Sequence, residues 1–310
     1  MTREAWRYGR VIHLPVMVER VLGVLAPRPG EVFADLTAGM GGHAAAVAAR
    51  LGPGGTVVLN DCDPTHLESA AARVRDACGS ACPRVVPVRG NFADLPSTMA
   101  ERGLCADMVL ADLGFSSAQM EQAARGLSFM RDGPLDMRLD PALATTAADL
   151  VNSLTEEELA QLIREFGEER AARRIARKLA QERTREPIST TGRLAELVRS
   201  VAGPRTGGID PATRTFQALR IAVNDELGVL SALLDAVSRG ARGWLAAGAR
   251  VAIISFHSLE DRAVKRCFAS LVEHGRATDL LGGAAEASDA EVAANPRARS
   301  AKLRAVALRG

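Results

Sequence analysis

Short apolar runs alternate with helical patterns along much of this chain. Five of the runs cover residues 32–35, 56–61, 85–88, 108–112 and 251–256. Apolar runs of this length between helical segments are typical of buried parallel strands joined by crossover helices. The pattern therefore predicts an α/β fold on a mostly parallel sheet. A further run, residues 303–308, is expected to form an edge strand.

Three of the predicted strands end in a carboxylate. Asp35, Asp61 and Asp112 each close an apolar run. Ligands of open parallel sheets bind at the carboxyl ends of the strands, so these three side chains should converge. A single acid at such a position is often only a helix cap, whereas three of them favour a binding site.

A glycine cluster follows the first strand and opens a helical segment. Gly39, Gly41 and Gly42 form the turn between the first strand and this helix. A strand, a glycine turn and a helix in this order begin a nucleotide-binding sheet. Asp35 ahead of the glycines would repel a pyrophosphate, but it suits a cofactor with an amino group, such as S-adenosylmethionine. Asp61 lies where a ribose-binding carboxylate belongs in this fold. An ordinary βαβ turn with capping acids is the alternative.

The middle of the chain has a different pattern. Residues 113–119 and 125–140 show little periodicity, and a loop this long in a compact domain is usually functional. Helices are predicted after it, one of them opened by a capping box at Thr155 and Glu158. A long helical stretch is expected over residues 215–245, and no regular structure over residues 275–294.

One of the middle helices is strongly basic. Residues 164–205 contain eleven Lys and Arg against six Glu, and Arg173, Arg174, Arg177 and Lys178 share one helical stretch. These four residues are candidates for binding RNA phosphates. A solvated helix face explains the pattern equally well.

Composition is that of an ordinary globular protein. The 310 residues are 47% hydrophobic and carry a net charge of only +2, so a nucleic-acid partner must be sought locally. Neither a signal peptide nor a membrane-spanning run is recognised, and a cytoplasmic location is expected. The five cysteines are scattered, which favours a reducing compartment and predicts no metal site.

Eight stretches of the chain form a recognisable set of motifs. They are Asp35 with Gly39-Met40-Gly41-Gly42-His43, Asp61-Cys62-Asp63-Pro64, Asp112-Leu113-Gly114-Phe115-Ser116-Ser117, Arg131-Asp132-Gly133-Pro134-Leu135-Asp136-Met137-Arg138, Gly167-Glu168-Glu169-Arg170, Pro211-Ala212-Thr213-Arg214-Thr215-Phe216-Gln217-Ala218-Leu219-Arg220, Ser255-Phe256-His257-Ser258-Leu259-Glu260-Asp261-Arg262 and Asn295-Pro296-Arg297-Ala298-Arg299-Ser300. Together they resemble one family, the bacterial ribosomal RNA small-subunit methyltransferase H family, also called MraW. The resemblance extends over nearly the whole chain, from His13 to Arg304.

The resemblance implies a fold, a reaction and a cofactor site. It implies a Rossmann-like methyltransferase domain, residues 1–113 and 211–310, interrupted by a helical substrate-recognition domain, residues 114–210. The implied reaction is S-adenosylmethionine-dependent methylation of a cytosine N4 in the decoding centre of 16S ribosomal RNA, within the small subunit. The implied cofactor contacts are Gly41, Gly42, His43, Asp61, Phe92, Asp112 and Gln119.

That chemistry narrows the catalytic candidates. The lone pair of a cytosine amine is delocalised into the ring, so the enzyme must align donor and acceptor and accept hydrogen bonds from the amine. Asp112 stands at a suitable strand end, and Asn224 and His257 are weaker candidates. The base must be unstacked to reach such a pocket.

Two other functions stay open at this point. A nicotinamide-dependent oxidoreductase could use the same glycine turn, although Asp35 ahead of the glycines argues against it. A non-catalytic RNA-binding assembly factor could retain the fold, although three intact strand-end acids argue against that. The chain also departs from the family pattern at Asp210, where histidine is common, and at Ala171, where an aromatic residue is usual.

Overall fold

The computed structural model describes residues 15–115, 119–120, 122–202, 210–240 and 243–309. The chain forms two compact units. The first consists of Met1–Ser116 and Gly228–Gly310, and the second of Ser117–Leu227.

A mixed sheet organises the first unit. Its strand order is β3-β2-β1-β4-β5-β8-β6, and β7 also pairs with β8. The first five strands are mutually parallel, as predicted, and β8 runs antiparallel to β5. The strands are β1 Val32–Asp35, β2 Thr56–Asp61, β3 Arg84–Arg89, β4 Ala106–Asp112, β5 Leu245–Ser255, β6 Ala277–Asp279, β7 Ala285–Glu286 and β8 Lys302–Leu308.

Twelve α-helices lie within the described residues. They are α1 Val18–Leu25, α2 Gly42–Leu51, α3 Pro64–Cys78, α4 Leu95–Glu101, α5 Ala147–Ser153, α6 Glu156–Gly167, α7 Ala172–Arg183, α8 Thr191–Ala202, α9 Ala212–Asn224, α10 Glu226–Ser238, α11 Ser258–Glu273 and α12 Asp289–Ala294. None of them combines the length and the apolar composition that crossing a membrane requires.

Alternating side chains of the strands build a core on each face of the sheet. Phe33 of β1 and Leu110 of β4 join a buried cluster with residues of α1, α2 and α3. Ala34 and Val109, their neighbours along the strands, point to the other face and join a cluster with residues of α4, α10 and α11. The first unit is therefore a three-layer α/β structure, which leaves the strand ends as its ligand-accessible edge.

The second unit is helical, and its elements follow local rules. The capping box predicted at Thr155 is present: its hydroxyl accepts from the Glu158 N–H at 3.2 Å, and the Glu158 carboxylate accepts from the Thr155 N–H at 2.8 Å. Helix α9 packs against α6. Helix α9 therefore belongs to the second unit, and the first unit resumes at Gly228. The expected methyltransferase domain resumed earlier, at residue 211.

Three local predictions were wrong. The helix expected over residues 215–245 is interrupted at Asp225, whose left-handed backbone (φ 47°) ends α9 and lets the chain turn into α10. Residues 275–294 are not irregular: they contain β6, β7 and α12, and Ser288 caps α12. Strand β8 is not an edge strand, because β5 pairs with one side of it and β6 and β7 with the other.

Candidate active site

The three strand-end acids meet at one edge of the sheet, as expected. Strand β1 lies between β2 and β4, and Asp35 is in register with Leu59 on one side and Leu110 on the other. Asp61 and Asp112 each follow these partners by two residues. All three carboxylates therefore extend from the carboxyl ends of adjacent parallel strands.

Asp35 occupies the most buried position of the three, with 1% of its surface exposed. Burial raises the pKa of its carboxyl to about 7, and the negative charges of Asp112 and Asp61 add to the rise. His43 and the N–H of Thr37 oppose it, and that N–H donates to Asp35 Oδ1 at 3.2 Å. Near neutral pH, Asp35 is thus a carboxyl that can hold a proton.

The glycine turn is shaped by close packing. Gly41 has φ 74°, and a Cβ there would lie 2.6 Å from the Cα of Ala70 in α3. A Cβ on Gly42 would lie 2.8 Å from Cγ of Pro15. These clashes account for both glycines through the approach of neighbouring main chain and side chain. Their predicted contact with a cofactor stays a prediction.

Asp61 is fixed by groups from two neighbouring segments. Its Oδ2 accepts from the Gly39 N–H at 2.9 Å and lies 3.3 Å from Nδ1 of His66, and its Oδ1 accepts from the Asp63 N–H at 2.9 Å. A carboxylate offers about four lone-pair sites. The three contacts leave one site on Oδ1, which suffices for one hydroxyl group of a ligand.

His43 and Asp112 form the least satisfied polar pair at this edge. His43 is 6% exposed, and its Nε2 lies 3.6 Å from Asp112 Oδ2. Among the described residues, neither ring nitrogen of His43 nor Oδ1 of Asp112 has a hydrogen-bond partner. Because buried polar atoms without partners are costly, such atoms at a strand edge point to a polar ligand.

Asn60 adds a further acceptor beside Asp61. Its amide nitrogen donates to the carbonyls of Val88 and Gly90 at 3.1 and 3.2 Å, which ties the end of β3 to β2. Its buried Oδ1 has no partner in the part of the chain that the structure describes. Sequence reasoning missed Asn60, although an amide within an apolar run next to a strand-end acid is an unusual pattern.

The backbone of Asp112 is held from both sides. The hydroxyl of Thr37 accepts from the Asp112 N–H at 2.7 Å, and the Leu113 N–H donates to the carbonyl of Ile254 at 2.9 Å. Thr37 was also missed, because nothing in the sequence pairs it with a residue 75 positions away.

Aromatic residues lie beyond two of the strand ends. Phe92 is half-buried and packs against the core cluster on one face of the sheet, so core packing explains part of its burial. After β4, the guanidinium of Arg297 lies 4.9 Å from the ring centroid of Phe115 and donates to its carbonyl at 2.7 Å. The predicted cofactor contact of Phe92 is not tested by these distances.

Two predicted site residues have clear structural roles. His257 is the N-cap of α11: its Nδ1 accepts from the Glu260 N–H at 3.4 Å, while Glu260 Oε2 accepts from the His257 N–H at 3.3 Å. Asn224 accepts from the Leu139 N–H at 2.7 Å and donates to the Met137 carbonyl at 2.8 Å. These contacts explain the position of Asn224 and of Nδ1 of His257, whereas the buried Nε2 of His257 has no hydrogen-bond partner among the described residues and lies 3.2 Å from Oε1 of Glu260. The catalytic roles of both residues stay predictions.

Gln119, the remaining predicted cofactor contact, belongs to the second unit. Its side chain is buried. Its place in a cofactor site stays a prediction.

The basic helix α7 divides into paired and unpaired cations. Arg177 lies 3.3 Å from Glu156, and Lys178 lies 2.9 Å from Glu182. Arg173 and Arg174 are exposed, and no described residue forms an ion pair with either. Of the four predicted RNA contacts, these two have the guanidinium groups that a phosphate could reach without competition.

Asp210, which stands where histidine is common in the family, has a structural role in this chain. Its carboxylate pairs with Arg199 at 3.0 Å and accepts from the Ala212 N–H at 3.0 Å, at the start of α9. An acid there stabilises the first turn of α9 within the second unit.

Comparisons with known proteins show the family of this chain. The model of the MraW methylase family matches residues 10–309. Ribosomal RNA small subunit methyltransferase H of Syntrophotalea carbinolica is 46% identical over 99% of this chain and 99% of its own length. The enzyme of the same name from Geobacter sulfurreducens is 45% identical over 94% of this chain and 97% of its own. The chain therefore belongs to the MraW methylase family.

Proposed function

We propose that this protein transfers a methyl group from S-adenosylmethionine to the N4 amine of a cytosine in the decoding centre of 16S ribosomal RNA. Family membership supports methyl transfer, and the names of the relatives support small-subunit ribosomal RNA as the substrate. The observation that carries the proposal is the pair of buried His43 and half-buried Asp112: both ring nitrogens of His43 and Oδ1 of Asp112 lack hydrogen-bond partners in the described chain.

The residues at the strand edge fit such a cofactor. Acidic side chains at three adjacent strand ends favour a ligand with cationic groups over a phosphate, even with a proton on Asp35, and S-adenosylmethionine carries an ammonium and a sulfonium. Asp61 would accept from a ribose hydroxyl through the remaining site on Oδ1. Asn60 and His43 supply further buried polar atoms for the rest of the molecule. When bound, the cofactor supplies an electrophilic methyl group.

Asp112 is the residue that we assign to the reacting amine. Its Oδ1 is buried and without a partner among described residues, whereas its main chain is fixed on both sides. A carboxylate held in this way can accept a hydrogen bond from the N4 amine as that nitrogen gains positive charge. Orientation of the methionine end of the cofactor is the alternative role for the same oxygen.

The RNA has to present its base outside a stack. The N4 amine of a stacked, paired cytosine is not accessible to a strand-end pocket, so a single-stranded or splayed segment is the natural substrate. Arg173 and Arg174 of α7 are suited to hold its phosphates. The nicotinamide-dependent oxidoreductase is not supported, because the family is one of methylases.

The proposal is tested by methyl transfer in vitro to small subunits that lack the modification. Nucleoside mass spectrometry should find N4-methylcytidine with the wild-type protein. Asp112→Asn keeps the side-chain volume and removes the charge, so the rate should fall about 100-fold or more while cofactor affinity stays near normal. Asp76→Asn, on the exposed face of α3, is the matched control.

The other outcomes are equally informative. If rate and affinity fall together in Asp112→Asn, the residue binds the cofactor and does not act on the amine. A variant with the full wild-type rate removes Asp112 from the site. A methyl group on another base or another atom contradicts the proposed substrate, and no transfer by the wild-type protein supports the assembly-factor alternative.

A further inference from the structure

The pairing of β1 with β4 changes from main chain to side chain where the site begins. Asp35 is in register with Leu110, and the N–H of Leu36 donates to the Leu110 carbonyl at 2.9 Å. The next N–H of β4 on this side is that of Asp112, where a parallel ladder would continue with another main-chain bond. The hydroxyl of Thr37 accepts it instead, at 2.7 Å.

Thr37 connects two of the three acids. Its own N–H donates to Asp35 Oδ1 at 3.2 Å, while its hydroxyl accepts from the backbone of Asp112. On the far side of β4, the Leu113 N–H donates to the Ile254 carbonyl. The main chain at Asp112 is therefore anchored before and after the Cα that carries the unpartnered carboxylate oxygen.

We propose that Thr37 is a positioning residue for methyl transfer, acting through its hydrogen bond to the Asp112 N–H. The inference rests on the proposed function, in which Asp112 accepts a hydrogen bond from the substrate amine. A preorganised acceptor stabilises the transition state only if its position is fixed, and a displacement of about 1 Å can cost on the order of 100-fold in rate.

A matched pair of variants separates the hydroxyl from the rest of the side chain. Thr37→Val keeps the shape but loses the acceptor, and Thr37→Ser keeps the acceptor. With cofactor and small subunits both saturating, Thr37→Val should lower the transfer rate about 10- to 100-fold, whereas Thr37→Ser should stay within about threefold. Thr37→Ala replaces the valine variant if that one does not fold.

A double-mutant cycle tests whether Thr37 acts through Asp112. In the Asp112→Asn background, Thr37→Val should cause little further loss, because the acceptor it positions is already impaired. A transfer rate at the wild-type level in Thr37→Val overturns the inference. So does an equal loss in Thr37→Ser, or losses that multiply in the double mutant.

Amide hydrogen exchange gives a readout that needs no substrate. The Asp112 N–H should exchange faster in Thr37→Val than in the wild type, and at the wild-type rate in Thr37→Ser. If the wild-type protein transfers no methyl group, the proposed function fails. Hydrogen exchange then still tests whether the Thr37 hydroxyl holds the Asp112 N–H. Unchanged exchange in Thr37→Val would show that its hydroxyl does not hold Asp112.

Discussion

At the scale of single residues, burial decides the chemistry of the strand-end acids. Asp35, Asp61 and Asp112 end adjacent strands in the same way, yet their surroundings differ. Asp35 is enclosed, and the raised pKa of its carboxyl lets it hold a proton to about pH 7. Asp61 is fixed by three contacts from neighbouring segments. Asp112 has a fixed main chain and an oxygen without a partner among the described residues, which makes it the one suited to meet a substrate.

The raised pKa of Asp35 predicts a pH-dependent stability. The unfolded carboxyl loses its proton near pH 3.8 and the folded one near pH 7, so unfolding releases a proton between these values and raising the pH favours unfolding. Asp35→Asn has no such proton and keeps an acceptor for the Thr37 N–H. From pH 5 to pH 8, the variant should gain up to about 3 kcal/mol relative to the wild type.

Urea denaturation of both proteins at the two pH values measures this gain. Asp76→Asn, at an exposed position, is the control and should show no pH-dependent difference from the wild type. An equal stability difference at pH 5 and pH 8 for Asp35→Asn would mean that the folded carboxyl titrates like an exposed one.

Asp61 is predicted to bind a cofactor ribose hydroxyl. Asp61→Ala should weaken S-adenosylmethionine binding by about 1.5–3 kcal/mol, the range for a hydrogen bond to a charged group. Isothermal titration calorimetry measures the affinity, with exposed Asp94→Ala as the control. Unchanged affinity in a folded Asp61→Ala protein would remove this residue from the cofactor site.

The residues that could be predicted were those marked by their place in a pattern. Asp61 and Asp112 end apolar runs, and that pattern alone brought them to one edge. Asn60, an amide within an apolar run, was overlooked despite its unusual place. Thr37 and His66 could not be found in this way. The importance of all three comes from the groups they meet, such as the Asp112 N–H for Thr37 and the Val88 carbonyl for Asn60, and those meetings depend on sheet register.

At the scale of elements, ion pairing within the second unit divides the charges of α7. Glu182 accepts from Lys178 of the same helix and also pairs with Arg185 and Arg193. A cation already paired with a carboxylate contributes less to phosphate binding, because the pair must be broken or shared. The surplus of positive charge counted along the sequence therefore overstates the number of unpaired cations on this helix.

The ion pairs on α7 predict that two double substitutions on this helix weaken RNA binding to different extents. Replacing Arg173 and Arg174 by Ser should weaken RNA binding and flatten the slope of log affinity against log salt by about 0.7–0.9 for each phosphate that the variant no longer binds. Replacing Arg177 and Lys178 by Ser should have a smaller effect and is the matched control. Binding of S-adenosylmethionine should not change in either variant.

Filter binding across a salt series measures both slopes. Equal slopes for both variants and the wild type would mean that α7 is a solvated face, the alternative that the sequence left open. A larger change of slope for the Arg177 and Lys178 variant would mean that the ion pairs with Glu156 and Glu182 do not reduce phosphate binding by these two residues.

Helices and strands could be predicted from the sequence where a short-range pattern determines them. The capping box at Thr155 and the parallel strands follow from short-range patterns, and the structure has them. The helix predicted across residues 215–245 failed at Asp225, because its left-handed backbone is not encoded in hydrophobic periodicity. Strand β8 has both sides paired because β6 and β7, which the sequence did not indicate, also reach it.

At the scale of the whole molecule, the chain interrupts its sheet-forming unit with a helical one. The second unit starts at Ser117, five residues after Asp112, and the first resumes at Gly228 within α10. The sequence predicted such an insertion, and its assignment to substrate recognition stays a proposal. The MraW methylase family match extends across both units, so the family assignment applies to the sheet-forming and the helical unit alike.

The proposed reaction is methylation of N4 of a cytosine in 16S ribosomal RNA at the strand ends that hold Asp112. Nucleoside mass spectrometry of 16S ribosomal RNA from a strain lacking the protein tests it most directly. The N4-methyl group should be missing in that strain, return with the wild-type gene, and return at most weakly with Asp112→Asn. Ribosomal RNA with an unchanged N4-methyl group in the deletion strain would rule out the proposed reaction.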